Sequence, residues 1–207
     1  MRILYLHGFA SGPGSSKARL FARRFEEIGV RLEVPDLAAG DFEHLTLTAQ
    51  LRVIEQVAGG DAVALIGSSL GGYLAALYAA RHPETTKVVL LAPAFGFAKR
   101  WEARMGSEAA RHWEQTGWLS VYHYGERKES RVWWGFLEDG RRYEDFPDVT
   151  QPCLLFHGLQ DDVVTADWSQ QFAESRPNVE LHLEESGHEL LNVVDKMFER
   201  TRAFLLD

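Results

Sequence analysis

Apolar residues along this chain fall into two rhythms that take turns. Short, unbroken apolar runs, of the kind that suit strands buried on both faces, occur at Arg2 to Leu6, Asp61 to Ile66, Lys87 to Leu91 and Pro152 to Phe156. Between them lie stretches with helical spacing. Leu20, Phe21, Phe25 and Ile28 mark one apolar face that ends at Gly29, with Ser15 or Ser16 placed to cap it. A second helix is predicted from about Phe42 to Val57, and a third over Leu70 to Arg81, where Leu70, Tyr73, Leu74, Leu77 and Tyr78 share a face and His82-Pro83 ends the pattern. Two more follow at Ala166 to Glu174 and Glu189 to Leu206. Val30 to Val34 reads as a short strand before the turn Pro35-Asp36, and Val179 to Leu183 as a strand of period two.

Strand followed by helix, repeated, predicts parallel strands joined by right-handed crossovers with helices on both faces, which is a doubly wound α/β fold. The rhythm breaks once, from Ala94 to about Phe146. Five of the six tryptophans fall in that interval: Trp101, Trp113, Trp118, Trp133 and Trp134. Phe95, Phe97, Tyr122, Tyr124 and Phe136 join them, so residues 94–147 read as a helical, aromatic, cap-like insertion within one domain spanning 1–207.

Composition narrows the function more than the fold. With 207 residues and 45% apolar content, the chain can bury one full core. A formal charge of −8 and the lack of any basic stripe argue against a nucleic-acid partner. The opening run at Ile3 to Leu6 is too short for a signal or membrane segment, and the single Cys153 sits in an apolar run, so a cytoplasmic protein with a buried, unpaired cysteine is expected. His44, His82, His112, His123 and His182 have no metal-ligand spacing and read as structural or surface residues. Pro13 within Gly12-Pro13-Gly14 removes an N–H that a phosphate cradle would use, and Glu126-Arg127-Lys128-Glu129 reads as a solvated loop. No cofactor and no metal are expected.

The candidate chemistry centres on Gly67-Ser68-Ser69-Leu70-Gly71, a G-x-S-x-G pattern between a predicted strand and a predicted helix. Glycine on either side lets the chain turn sharply and present Ser69 at a helix N-terminus. A serine hydroxyl needs a base, and a histidine base needs an acid to fix its tautomer. Both stand after predicted strands: Asp161 in His157-Gly158-Leu159-Gln160-Asp161-Asp162, and His188 in Glu185-Ser186-Gly187-His188. Asp162 is the neighbouring alternative for the acid, with spacing from His157-Gly158 favouring Asp161. His7 and His157 read as loop-shaping hydrogen-bonders.

With His7-Gly8-Phe9 at the start, the order Ser69, Asp161, His188 on loops after strands resembles the α/β-hydrolase superfamily. Leu4-Tyr5-Leu6-His7-Gly8-Phe9, Ser11 and Lys17-Ala18 are more specifically similar to small YqiA-like esterases. Glu138-Asp139-Gly140-Arg141 and Phe156-His157-Gly158 through Asp162 also resemble mitochondrial acyl-protein depalmitoylases. Two features depart from the superfamily pattern: Thr165 stands where proline is frequent, and the antiparallel strands that usually precede the first parallel one are missing. The second departure implies a mainly parallel sheet of about six strands in the order 2-1-3-4-5-6.

The resemblance implies a serine esterase or thioesterase acting on a small-molecule acyl ester or thioester, with Ser69, Asp161 and His188 as catalytic residues. It implies an oxyanion hole from the backbone N–H groups of Phe9 and Leu70. Phe9 and some of Trp101, Trp113, Trp118, Trp133 and Trp134 are the candidate walls of an acyl pocket, the alternative being that they only pack the insertion onto the body. Arg100, Arg104 and Arg111 are candidates for contact with anionic parts of a substrate. Competing functions are a non-catalytic binding protein on the same fold and a carbon–carbon bond hydrolase.

Overall fold

The structure is a computed structural model that describes residues 2–207. β1 (Arg2–Leu6) leads to α1 (Ser16–Glu27), where Ser15 is the N-cap and accepts from the Ala18 N–H. β2 is only Leu32–Glu33, shorter than the apolar run from Val30 to Val34. The Val30 N–H is taken by the Phe25 carbonyl at 2.9 Å, which closes α1 and delays the ladder, and Pro35 follows at once. α2 (Leu47–Ala58) starts five residues later than its apolar pattern, because Thr46 is its cap and accepts from the Ala49 N–H at 2.9 Å.

β3 (Val63–Ser68), α3 (Leu70–Arg81) and β4 (Val88–Leu91) follow as the pattern predicts. The insertion then contributes α4 (Phe97–Met105), α5 (Ser107–Thr116), the antiparallel pair β5 (Trp118–His123) and β6 (Lys128–Trp133), and the short α6 (Gly135–Gly140). Of the charge run, Glu126 and Arg127 form the exposed hairpin turn, and Lys128 and Glu129 open β6 rather than staying in a loop. β7 (Cys153–Gly158), α7 (Asp167–Glu174), β8 (Val179–Glu184) and α8 (Val194–Leu206) complete the chain.

β1, β2, β3, β4, β7 and β8 form one sheet in the order β2-β1-β3-β4-β7-β8, and all its pairings are parallel. This is the six-strand order expected from the sequence. Along each central strand, alternate residues face two different cores, which is why the runs are apolar throughout. Ile3, Tyr5, Ala64, Ile66, Val89, Leu91, Leu154 and Phe156 face α1 and α8. Leu4, Leu6, Val63, Leu65, Val88, Leu90, Cys153 and Leu155 face α2, α3 and α7. Burial pushes the Cys153 thiol up to about 12.

Ten consecutive residues of α3, Leu70 to Ala79, are buried, since the sheet covers one side and α2, with the segment around Glu144, covers another. Tyr73 Oη donates to the Glu144 carbonyl at 2.7 Å, and Arg81 pairs with the Glu144 carboxylate. Asp139 is buried and accepts from the Thr48 N–H at 2.8 Å and the Thr48 hydroxyl at 2.7 Å, tying α6 to the first turn of α2.

Candidate active site

Ser69 sits between β3 and α3 with φ 55° and ψ −118°, a left-handed backbone that a residue with a Cβ rarely adopts. The corner holds because the chain on either side is packed without gaps. A Cβ at Gly67 would run into the Gly71 carbonyl, and one at Gly71 would run into the Leu6 and His7 carbonyls. The Ser69 N–H donates to the Leu91 carbonyl at 2.9 Å, and its own carbonyl accepts from Gly72, Tyr73 and Ala94. Strain at one residue is thereby held by three elements.

Asp161 and His188 come to the same edge of the sheet from β7 and β8. His188 Nε2 lies 3.0 Å from Ser69 Oγ, and His188 Nδ1 lies 2.7 Å from Asp161 Oδ2. Asp161 Oδ1 accepts from the N–H groups of Val163 at 2.9 Å and Val164 at 2.8 Å. Burial would push this carboxyl up. Hydrogen bonds from His157, His188 and the Val164 N–H, with the charge of His188, outweigh that effect and hold it well below the ordinary carboxylate range. Asp162 is exposed and makes none of these contacts.

The segment after β1 closes the other side. A Cβ built on Gly8 would lie 3.4 Å from Ser69 Cβ, so the Gly8-Phe9 backbone runs against the serine. Among the described residues, neither the Phe9 nor the Leu70 N–H has a hydrogen-bond partner in the protein. His7 is buried, and its Nε2 accepts from the Leu37 N–H at 3.2 Å, so it shapes this loop from behind. Chemically, the arrangement offers a hydroxyl in contact with an imidazole, a buried carboxylate behind that imidazole, and two uncommitted backbone donors beside the hydroxyl.

A model of the uncharacterised protein family UPF0227 matches residues 2–205. The chain belongs to that family. It is 26% identical over 205 residues to the mouse mitochondrial palmitoyl-protein thioesterase ABHD10, covering 89% of this chain and 67% of that protein. It is 27% identical over 189 residues to the human form, covering 83% of this chain and 60% of that protein, so it spans about two thirds of these relatives. Among solved structures, mouse alpha/beta hydrolase domain-containing protein 10 superposes with a TM-score of 0.83 at 20% identity, over 98% of this chain and 88% of that one. A putative hydrolase from Agrobacterium vitis S4 superposes with a TM-score of 0.83 at 21% identity, over 98% and 87%. The UPF0227 chain therefore has the α/β-hydrolase fold, and its likenesses support a hydrolase of that type.

The aromatic candidates in this UPF0227 protein separate by position. Phe9 is half-buried and packs on Phe42, Trp101 and Phe136, with ring centroids 5.4, 5.2 and 5.2 Å away. Trp101 is the tryptophan that touches Phe9. Trp113 is 1% exposed, lies between Trp101 and Trp134, and donates its ring N–H to the Val132 carbonyl at 3.1 Å. Trp118 and Trp133 flank His44, and Trp133 donates to the Leu45 carbonyl at 3.1 Å.

Arg100 has a job that its sequence position does not reveal. Its Nε donates to the Phe95 carbonyl at 2.8 Å and its Nη1 to the Val163 carbonyl at 2.9 Å, clamping α4 to the loop that carries Asp161. Burial lowers the guanidinium to about 10 even though the field of Asp161 opposes the fall. Among the described residues, no three His, Cys, Asp or Glu side chains are grouped to hold a metal, and no helix is long and apolar enough to cross a membrane.

Proposed function

We propose that this protein is a serine hydrolase of carboxylic esters or thioesters that works through an acyl-enzyme. The observation that carries this reading is the unbroken contact from Ser69 Oγ through His188 to Asp161, at 3.0 and 2.7 Å. His188 Nε2 accepts the Ser69 proton as the oxygen attacks the acyl carbonyl. Asp161 accepts from Nδ1–H, which keeps Nε2 free as the acceptor and stabilises the imidazolium that forms. The uncommitted N–H groups of Phe9 and Leu70 receive the oxyanion, where each such donor lowers the barrier by about 3 kcal/mol. His188 returns the proton to the departing alcohol or thiol, and water, activated by the same nitrogen, releases the acid.

The substrate is a small acyl ester or thioester. The mitochondrial palmitoyl-protein thioesterases that resemble this chain support including thioesters. Residues 94–147 act as a cap, with Phe9 and Trp101 as the pocket wall on the insertion side and Trp113, Trp118, Trp133 and Trp134 supporting it. No cofactor or metal takes part in the steps above.

Incubation with a fluorophosphonate probe followed by intact mass tests the reading directly. One adduct is expected on the wild-type protein and none on Ser69→Ala. Absence of the adduct from folded wild-type protein, or its survival in the variant, overturns the proposal.

A further inference from the structure

The acid of the site is approached from two sides, and only one of them leads to Ser69. His157, at the end of β7, is completely buried, and its Nε2 lies 2.7 Å from the Val164 carbonyl oxygen and 3.1 Å from Asp161 Oδ2. Both of those atoms only accept, so Nε2 carries a proton and shares it between them. In the neutral ring Nδ1 is then the acceptor. The fully buried Ser169 of α7 sits 2.6 Å from it and supplies the O–H. Every donor in this arm therefore points towards Asp161: Ser169 to His157, and His157 to Asp161. The arm beginning at Ser69 converges on the same carboxylate oxygen through His188.

We propose that His157 is a positioning residue for the reaction, and that Ser169 fixes the tautomer in which it acts. The inference rests on reading Ser69, His188 and Asp161 as the catalytic triad. Two consequences follow from the shared oxygen. Asp161 is held in place by donors on both sides and by the Val163 and Val164 N–H groups, so its carboxylate has no spare lone pair with which to turn away from His188. The His157 donor also draws charge off Oδ2, which limits how strongly the carboxylate can stabilise the His188 imidazolium. The acid is thus held from behind, by a group that never meets substrate. The other charges whose fields reach Asp161 are Arg100 on α4 and Lys17 on α1, while Asp162 is exposed beside it.

The test is a set of variants assayed on one ester across pH. His157→Phe keeps a ring of similar size and removes the donor. It should lower kcat by roughly ten- to a hundredfold, the range for loss of one hydrogen bond to a charged group. KM should stay within about twofold of wild type, because His157 does not contact substrate. Fluorophosphonate labelling should slow in parallel, and the acid limb of kcat/KM should move to higher pH as the freed oxygen favours the imidazolium. His157→Gln, which restores a side-chain N–H, should recover most of kcat and return the limb towards wild type. Ser169→Ala should give a smaller change in the same directions, and it carries the test if His157→Phe does not fold. Folded His157→Phe or, failing that, Ser169→Ala with wild-type kcat and an unmoved acid limb would overturn the proposal, whatever its melting temperature. Hydrolysis that persists in Ser69→Ala would instead bring down the hydrolase reading itself.

Discussion

The edge of the sheet that holds Ser69 and the aromatic insertion beside it are stabilised in opposite ways. At the edge, residues far apart in the chain are brought within 3.0 Å of one another, and each contact is a directed hydrogen bond. In the insertion, neighbouring segments pack rings edge-to-face or tilted at centroid distances of 5 to 6 Å, as in Phe97–Phe136 at 5.0 Å, Trp113–Trp134 at 5.3 Å and Trp101–Trp113 at 5.7 Å. Hydrogen bonds fix orientation to a few tenths of an ångström, which chemistry requires. Ring packing of this kind tolerates a range of angles and contributes mainly burial. Chemistry and stability are therefore expected to respond to different mutations, and the two regions meet at contacts that include the Arg100 clamp, the Ala94 N–H on the Ser69 carbonyl and the packing of Phe9 on Trp101 and Phe136.

The strongest way to break this comparison is at the acid. Asp161→Asn should lower ester turnover by roughly 10⁴-fold, as loss of the correct tautomer does in serine triads, with circular dichroism unchanged. The exposed neighbour Asp162→Asn should stay within about threefold of wild type. A reversed result would move the acid one residue along the chain.

Next in size is the interior of the insertion. Trp113→Ala should cost about 3–5 kcal/mol of unfolding free energy in urea, the usual loss for a buried aromatic residue. The ratio of rates on short and long acyl esters should not move. A shifted ratio would mean that this ring cluster is itself part of the pocket. At the junction the expectation is inverted: Trp101→Ala should change that ratio by about tenfold, through Phe9, with a smaller stability loss. If alanine at 101 leaves the ratio alone, the insertion is structural packing throughout.

The smallest expected effect is in the acid range. Asp161 is depressed in the folded protein, so its contribution to stability is fully present above the ordinary carboxylate value of about 4 and is lost as pH falls below it. Asp161→Asn has no such charge to lose. The difference in melting temperature between wild type and this variant should therefore narrow between about pH 4 and pH 2. A difference that stays constant over that range would show that the carboxylate is not stabilised by its four donors.

How much of this was legible in the sequence depended on whether a feature was local. β1, β3, β4 and β7 follow from apolar runs that are buried on both faces, β2 and β8 are half-buried and leave a fainter mark, and the strand order came from the resemblance to the superfamily. The loops bearing Ser69 and Asp161 could be placed because each follows such a run, and the loop bearing His188 because it follows the period-two strand β8. The hairpin of β5 and β6 could not, since its residues alternate poorly and its turn carries the charged Glu126 and Arg127, which look like any solvated loop. α4 and α5 were hidden for a similar reason: their exposed faces are polar and Gly106 alone separates them. The contacts of Arg100 with Val163, Asp139 with Thr48 and Ser169 with His157 join segments whose proximity exists only after folding, and no spacing announces them. His157 lies four residues from Asp161, yet the sequence could identify it only as a loop-shaping residue.

Ser69 itself illustrates a conflict between endurance and work. Its φ of 55° is comfortable for glycine and costs a residue with a Cβ on the order of 1–3 kcal/mol. Ser69→Ala keeps that cost while losing the hydroxyl, whereas Ser69→Gly loses both. A population of variants screened for heat tolerance alone would drift to glycine at position 69. On the proposed mechanism, the most durable version of this protein is thus an inert one, and serine persists there only under selection that reads out chemistry.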